Sequence, residues 1–212
     1  MSELDLHEQE QVDALKSWWK ENSKWVYGLV TVSLLAFAGS QFWKQYQASQ
    51  STGAASLYAE VMKQTASGDD KLIGDAADAL AERFADSPYA TRAQLLAAQI
   101  SQQAGDATRA KARLWWVIEH TDEEGLQHAA RLKLAAMLLD EKQYDDALKH
   151  LGTAHPVAFD SVYADLKGDV LSAMGKSDDA RIAYKQALEK ADAQAVQRSL
   201  IQLKLDGLGN AK

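Results

Sequence analysis

Nineteen consecutive residues, Trp25 to Trp43 (WVYGLVTVSLLAFAGSQFW), carry no charge and are bounded by Lys24 and Lys44. As an α-helix they would reach roughly 28 Å, about the thickness of a bilayer's hydrocarbon core. Only a segment that closes its own backbone hydrogen bonds can cross that layer. A helix does so, which makes Thr31, Ser33 and Ser40 tolerable inside it. Trp25 and Tyr27 stand at one end and Phe42, Trp43 and Tyr46 at the other, where amphipathic rings suit two headgroup belts. The pattern predicts one transmembrane helix over residues 25–43.

A cleaved secretory signal is the rival reading, because Ala36-Phe37-Ala38 has the small-x-small form of a cleavage site. The 24 residues before the run are acidic, however, with six Asp or Glu against three Lys. The apolar character also continues past the candidate site into Phe42 and Trp43. A retained anchor is expected. Lys16, Lys20 and Lys24 precede the span closely, whereas only Lys44 follows it before Lys63. That asymmetry places residues 1–24 in the cytoplasm and the chain after the span on the opposite side. Within residues 1–24, Val12, Leu15, Trp18 and Trp19 fall on one helical stripe and the three lysines on another. Two readings stand: a helix lying in the headgroup plane, or a plain lead-in to the span.

From residue 50 onward the chain reads as amphipathic helices joined by short turns. Two prolines and twelve glycines in 212 residues, with no alternating Val/Ile/Thr runs, leave no material for a sheet. An enzyme built on a nucleotide-binding sheet is thereby disfavoured. With no cysteine there is no disulfide, thiolate zinc site or thiol nucleophile. A net charge of −7 offers no basic face for nucleic acid.

Three segments align on a small residue after a polar turn: Gly105–Ala110, Lys142–Ala147 and Gly175–Ala180, spaced by 37 and 33 residues. Four residues after each small anchor comes Leu114, Leu151 or Tyr184, and seven after comes Val117, Ala154 or Ala187. A stripe at i, i+4, i+7 headed by a small residue lets a second helix pack closely on the first. Ala135 and Gly168 sit twelve residues before Ala147 and Ala180, where a small side chain permits close approach. The pattern resembles the tetratricopeptide repeat, a helix-turn-helix unit of about 34 residues. Units are expected at Thr91–Asp122, His128–Asp160 and Ser161–Asp192. An earlier unit falls around Ala54–Pro88, where Ala77 lies 33 residues before Ala110, and Ala195–Leu208 reads as a closing helix carrying Val196, Leu200, Leu203 and Leu208. The expected fold is all-α, a single N-terminal transmembrane helix followed by a tetratricopeptide-like solenoid. Its parts are a cytoplasmic segment 1–24, the span 25–43 and the repeat domain 50–212.

The run Glu10-Gln11-Val12-Asp13-Ala14-Leu15-Lys16, followed by Trp18-Trp19 and Glu21-Asn22, precedes a single span and then the repeats. Together with Tyr163-Ala164-Asp165-Leu166-Lys167-Gly168-Asp169 and Gly175-Lys176, this order resembles the YfgM family, ancillary subunits of the bacterial Sec translocon. The resemblance covers essentially the whole chain. It implies a single-pass inner-membrane protein, with the repeat domain in the periplasm. It further implies association with SecYEG and the periplasmic chaperone PpiD, and a part in passing emerging proteins onward.

No phosphate-binding glycine loop is present, and His7, His120, His128, His150 and His155 form no metal-ligand spacing. Asp145-Asp146 and Asp178-Asp179 precede their anchors, where carboxylates complement a helix N-terminus. No catalytic residue, metal ligand or cofactor is expected, and the chain is not expected to be an enzyme. Trp115-Trp116 reads either as packing between repeats or as a surface hot spot. Residues 129–139 (AARLKLAAMLL) are apolar almost all round, although a repeat helix needs only one apolar stripe. Leu95, Leu132, Ala136 and Leu139 are therefore candidates to line a groove on the first helices, with Asp165 and Asp169 further along. Such a groove suits extended or partly folded apolar polypeptide. Burial beneath the closing helix or a folded-back N-terminal helix is the other reading. The function expected is a membrane-anchored interaction protein of the Sec translocon that helps transfer translocated proteins to periplasmic chaperones. The alternative is a tethered scaffold regulating a cytoplasmic signalling protein.

Overall fold

The computed structural model describes residues 3–65, 68–192 and 196–209, with side chains from residue 11 onward. The chain divides into two compact units, Met1–Thr52 and Gly53–Lys212. Among the described residues every regular element is helical: α1 (Glu3–Thr65), α2 (Asp70–Arg83), α3 (Pro88–Gln103), α4 (Ala107–His120), α5 (Glu124–Asp140), α6 (Tyr144–Leu151), α7 (Asp160–Ala173), α8 (Ser177–Lys190) and α9 (Val196–Gly207), with a 3₁₀ turn at Val157–Phe159.

The first unit is helix α1 up to Thr52. It contains a stretch long and apolar enough to cross a membrane, none of it buried within the protein. Trp25 is 82% exposed, and Leu29, Leu34, Leu35, Phe37, Phe42 and Trp43 all face outward. A soluble helix would hide such residues against a core, and this one has none. The hydroxyls inside the stretch are satisfied on the helix itself. Thr31 Oγ1 donates to the Tyr27 carbonyl at 2.8 Å and Ser40 Oγ to that of Phe37 at 2.7 Å. The lead-in is continuous helix, so no break separates residues 11–24 from the apolar stretch.

The second unit is a stack of helix hairpins. The last turns of α1 supply Ala54 and Val61 to a cluster with Ile73, Ala77 and Leu80 of α2 and Ala90, Ala93 and Ala97 of α3. The hairpins α3–α4, α5–α6 and α7–α8 follow, each packed on the next. All four small anchors, Ala77, Ala110, Ala147 and Ala180, are fully buried. At Gly168 the close approach is explicit, because an added Cβ would lie 2.5 Å from Cδ1 of the Tyr184 ring.

The turns inside the hairpins repeat as well. Gly105, Lys142 and Gly175 all take positive φ, at 83°, 61° and 75°. Beyond each, the next backbone N–H reaches back five residues: Asp106 to Ser101, Gln143 to Leu138 and Lys176 to Leu171. These bonds satisfy the carbonyls that a helix C-terminus leaves open. Starts are capped where the sequence allows. Asp69, Ser87 and Asp106 accept backbone N–H bonds at the heads of α2, α3 and α4. Asp145, Asp146, Asp178 and Asp179 lie in first turns, as the dipole argument requires.

One expectation is corrected. Ala154 does not extend the stripe of Ala147 and Leu151: α6 stops at Leu151, and Ala154 is exposed in a loop. Gly152 ends the helix, and Pro156, which disfavours helical backbone before it, follows closely. In α9 the buried side chain is Ile201, whereas Val196, Leu200 and Leu203 are 90%, 52% and 67% exposed. Ala195, expected to open that helix, lies outside the described residues.

Candidate functional site

The groove candidates sit on the first helices of the hairpins. Leu95 on α3 and Leu132, Ala136 and Leu139 on α5 are half-buried. Leu95, Leu132 and Leu139 pack against the main core cluster while keeping part of their surface open. On α5, Leu134, Ala135, Met137 and Leu138 take the fully buried face. The apolar excess of this helix therefore divides into a sealed face and a half-open one.

The repeat register explains what happens further along. Spacings of 37 and 33 residues make Leu95, Leu132 and Asp165 equivalent, and likewise Gln99, Ala136 and Asp169. The third unit thus exchanges apolar side chains for two carboxylates. Lys204 of α9 binds both, with Nζ 2.9 Å from Asp165 Oδ1 and 2.8 Å from Asp169 Oδ2. Tyr184 also donates its hydroxyl to Asp169 at 2.8 Å. Burial pushes the Asp165 carboxyl up in pKa, against the hydrogen bond from Lys204 that pulls it down. Burial works against the charge of Lys204 too, but its bonds to the two carboxylates outweigh this and its pKa is raised. Burial, and then the bond to Asp169, raises the Tyr184 phenol. Asp165 and Asp169 are thus engaged within the chain, as a latch holding α9 on α7 and α8.

Residues 16–210 match the model of the tetratricopeptide repeat-like domain. An ancillary SecYEG translocon subunit of Neisseria gonorrhoeae is 32% identical over 204 residues, covering 96% of this chain and 98% of that protein. The chain belongs to the family of ancillary SecYEG translocon subunits. The Escherichia coli member is 28% identical, covering 97% of this chain and 98% of its own. The member from Aggregatibacter actinomycetemcomitans is 26% identical, with 96% and 98% covered. No solved structure matches the chain.

Several other features of this family member were not visible in its sequence. His128 Nδ1 and Tyr163 Oη are hydrogen-bonded at 2.7 Å, and the His155 ring stacks on Tyr163 with centroids 4.0 Å apart. Burial, then the charge of Arg131, lowers the pKa of His128. An open cleft of about 370 Å³ adjoins this cluster between the α6–α7 loop, α7 and α8, with Lys167, Glu189 and Lys190 in its wall. Arg113, 93% buried by its 7% exposure, donates to Asp78 at 2.9 Å and ties α4 to α2 across α3. Gly74 leaves room for that guanidinium: a Cβ there would stand 2.6 Å from Nη2. Among the described residues no group of three or more His, Asp or Glu is arranged as a metal site.

The two tryptophans separate. Trp116 is half-buried against both large core clusters and stacks on His120 at 4.3 Å, whereas Trp115 is 44% exposed beside His150. Lys16, Lys20 and Lys24 all project from the surface of α1 on the N-terminal side of Trp25, and Trp43 is exposed at the far end.

Proposed function

We propose that the chain is a membrane-anchored, non-enzymatic interaction protein of the Sec translocon, helping to transfer translocated proteins to periplasmic chaperones. Residues 25–43 form its single span in the bacterial inner membrane. Residues 1–24 lie in the cytoplasm and residues 50–212 in the periplasm. SecYEG is its membrane partner and PpiD its chaperone partner. The observation that carries the reading is the near-complete overlap with ancillary SecYEG subunits, joined to one exposed apolar helix ahead of a repeat domain. A cationic N-terminal flank supports the orientation, with Lys16, Lys20 and Lys24 before the span against Lys44 after it.

The half-open face of Leu95, Leu132, Ala136 and Leu139 is the surface that receives emerging apolar polypeptide or the chaperone. Side chains that already touch a core on one side offer apolar area at little extra ordering cost. No nucleic-acid role fits a net charge of −7. The test places a photo-crosslinking residue at position 139 of the full chain in cells carrying a secretory protein arrested in translocation. Adducts to the arrested protein or to PpiD are expected, weakened at least tenfold by Leu132→Glu. Absence of both adducts, with SecYEG still bound, would refute the transfer role.

A further inference from the structure

The joint between α5 and α7 is built from rings that the other first helices lack. Repeat spacing makes Ala93, Ala130 and Tyr163 equivalent, and likewise Thr91, His128 and Ser161. Where α3 and α5 carry an alanine, α7 carries a phenol. Where α3 and α7 carry a small hydroxyl, α5 carries an imidazole. These two rings meet, with His128 Nδ1 2.7 Å from Tyr163 Oη. The segment after α6 supplies two more, because α6 ends after eight residues against fourteen in α4 and α8. His155 stacks on Tyr163 at 4.0 Å, and the Phe159 ring centroid lies 5.1 Å from that of His128. His155 is itself fixed, with Nδ1 2.8 Å from the Thr153 carbonyl and Nε2 3.4 Å from Asp160 Oδ1.

Closing the joint leaves His128 only 3% exposed, which suits a neutral ring and not a charged one. A neutral imidazole is satisfied by the Tyr163 hydroxyl, which can donate or accept. Burial raises the Tyr163 phenol in pKa, so it stays an uncharged partner. Among the described residues no carboxylate is hydrogen-bonded to His128. The charges that bear on it are Arg131, then Glu124 of the same helix, then His155 of the loop. On α7, Asp160 already faces His155, and Lys190 of α8 lies 3.8 Å from it. On α6, His150 packs edge-on to Trp115, and burial and Arg131 lower its pKa as well. A proton on His128 would thus be a buried cation beside Arg131, without a counter-charge in contact. Opened to water, the same ring titrates near about 6.5. Acid therefore favours the open joint: as pH falls below about 6.5, the solvated ring gains a proton that the closed joint disfavours.

We propose that His128, Tyr163, His155 and Phe159 form an acid-sensitive joint, from which the α6–α7 loop lifts below about pH 6 while the α3–α4 hairpin stays closed. The loop is the part that moves, because a short irregular segment opens more readily than a packed helix pair. Its tip is already bare, with Val157 77% exposed. Leu132 lies one turn after His128 on α5, so the joint borders the half-open apolar face. The switch does not depend on what that face binds.

Hydrogen exchange of the full chain in detergent, corrected for the intrinsic pH dependence of amide exchange, reads the opening. Peptides spanning residues 152–163 should open roughly fivefold or more at pH 5 relative to pH 7.5, with about thirtyfold the ceiling for one group titrating at 6.5. Peptides within Pro88–Gln103 should not change. His128→Gln should abolish the rise, and His150→Gln should keep it. Should His128→Gln fail to fold, the ring resonance of His128 in the unaltered chain decides, and its titration midpoint should fall well below that of a solvated histidine. An ordinary midpoint would overturn the proposal. So would an equal rise in a folded His128→Gln, a uniform loosening of the whole solenoid, or no rise at all.

Discussion

Lys142 holds a backbone conformation that an L-residue adopts at a cost. Its φ of 61° falls in the turn position where the neighbouring units carry Gly105 and Gly175. A Cβ in the left-handed region costs roughly 1 kcal/mol, part of which glycine loses again through the freedom of its unfolded chain. Lys142→Gly should therefore stabilise the second unit by about 0.5 kcal/mol, read as a rise in the denaturation midpoint of the detergent-solubilised chain. No change or a fall would show that Lys142 contributes a compensating contact. Glycine at 105 and 175 marked these turns in the sequence, and the repeat spacing carried the mark to Lys142. The Asp165–Lys204–Asp169 latch had no such mark. Its partners lie 39 and 35 residues apart. Only the fold brings that ammonium between those carboxylates.

At the scale of the helix pair, legibility followed how strongly packing constrains a position. Ala110, Ala147 and Ala180 stood out because a helix crossing at close range tolerates nothing larger, and all are buried. Ala180→Leu should overpack α7 against α8 and cost roughly 1–3 kcal/mol. Asp178→Ala, whose side chain is 86% exposed and paired with Arg181 three residues on, should cost less than about 1 kcal/mol. Chemical denaturation of the two variants checks the order, and its reversal would refute the assigned register. Ala154 failed for a local reason: Gly152 ends α6 one turn early, whatever the repeat spacing suggests. In sequence, an apolar arc on a terminal helix reads the same whether covered or bare. Val196, Leu200 and Leu203 look like core residues until the neighbouring helix is found to meet Ile201 and Leu205 instead.

At the scale of the whole molecule, an uncharged helix of nineteen residues bounded by lysines dictates that the chain is handled by a membrane, and the exposure of Trp25 through Trp43 agrees. The cationic flank predicts that protease added to spheroplasts removes the repeat domain while residues 1–24 survive; protection of the repeats would reverse the orientation. The partner cannot be read from helix periodicity, because stacked helix pairs serve many unrelated assemblies. The full-length similarity to ancillary SecYEG subunits is what points to the translocon. The most direct measurement is therefore quantitative co-purification. Tagged full chain, expressed at native level and extracted from its own membranes in mild detergent, should retain SecY in reproducible proportion. A variant with residues 25–43 replaced by an unrelated apolar span should keep the solenoid folded and at the membrane. Recovery of SecY with the intact chain well above an unrelated tagged membrane protein is the predicted result, whereas recovery no higher than that control would contradict the assignment to the translocon.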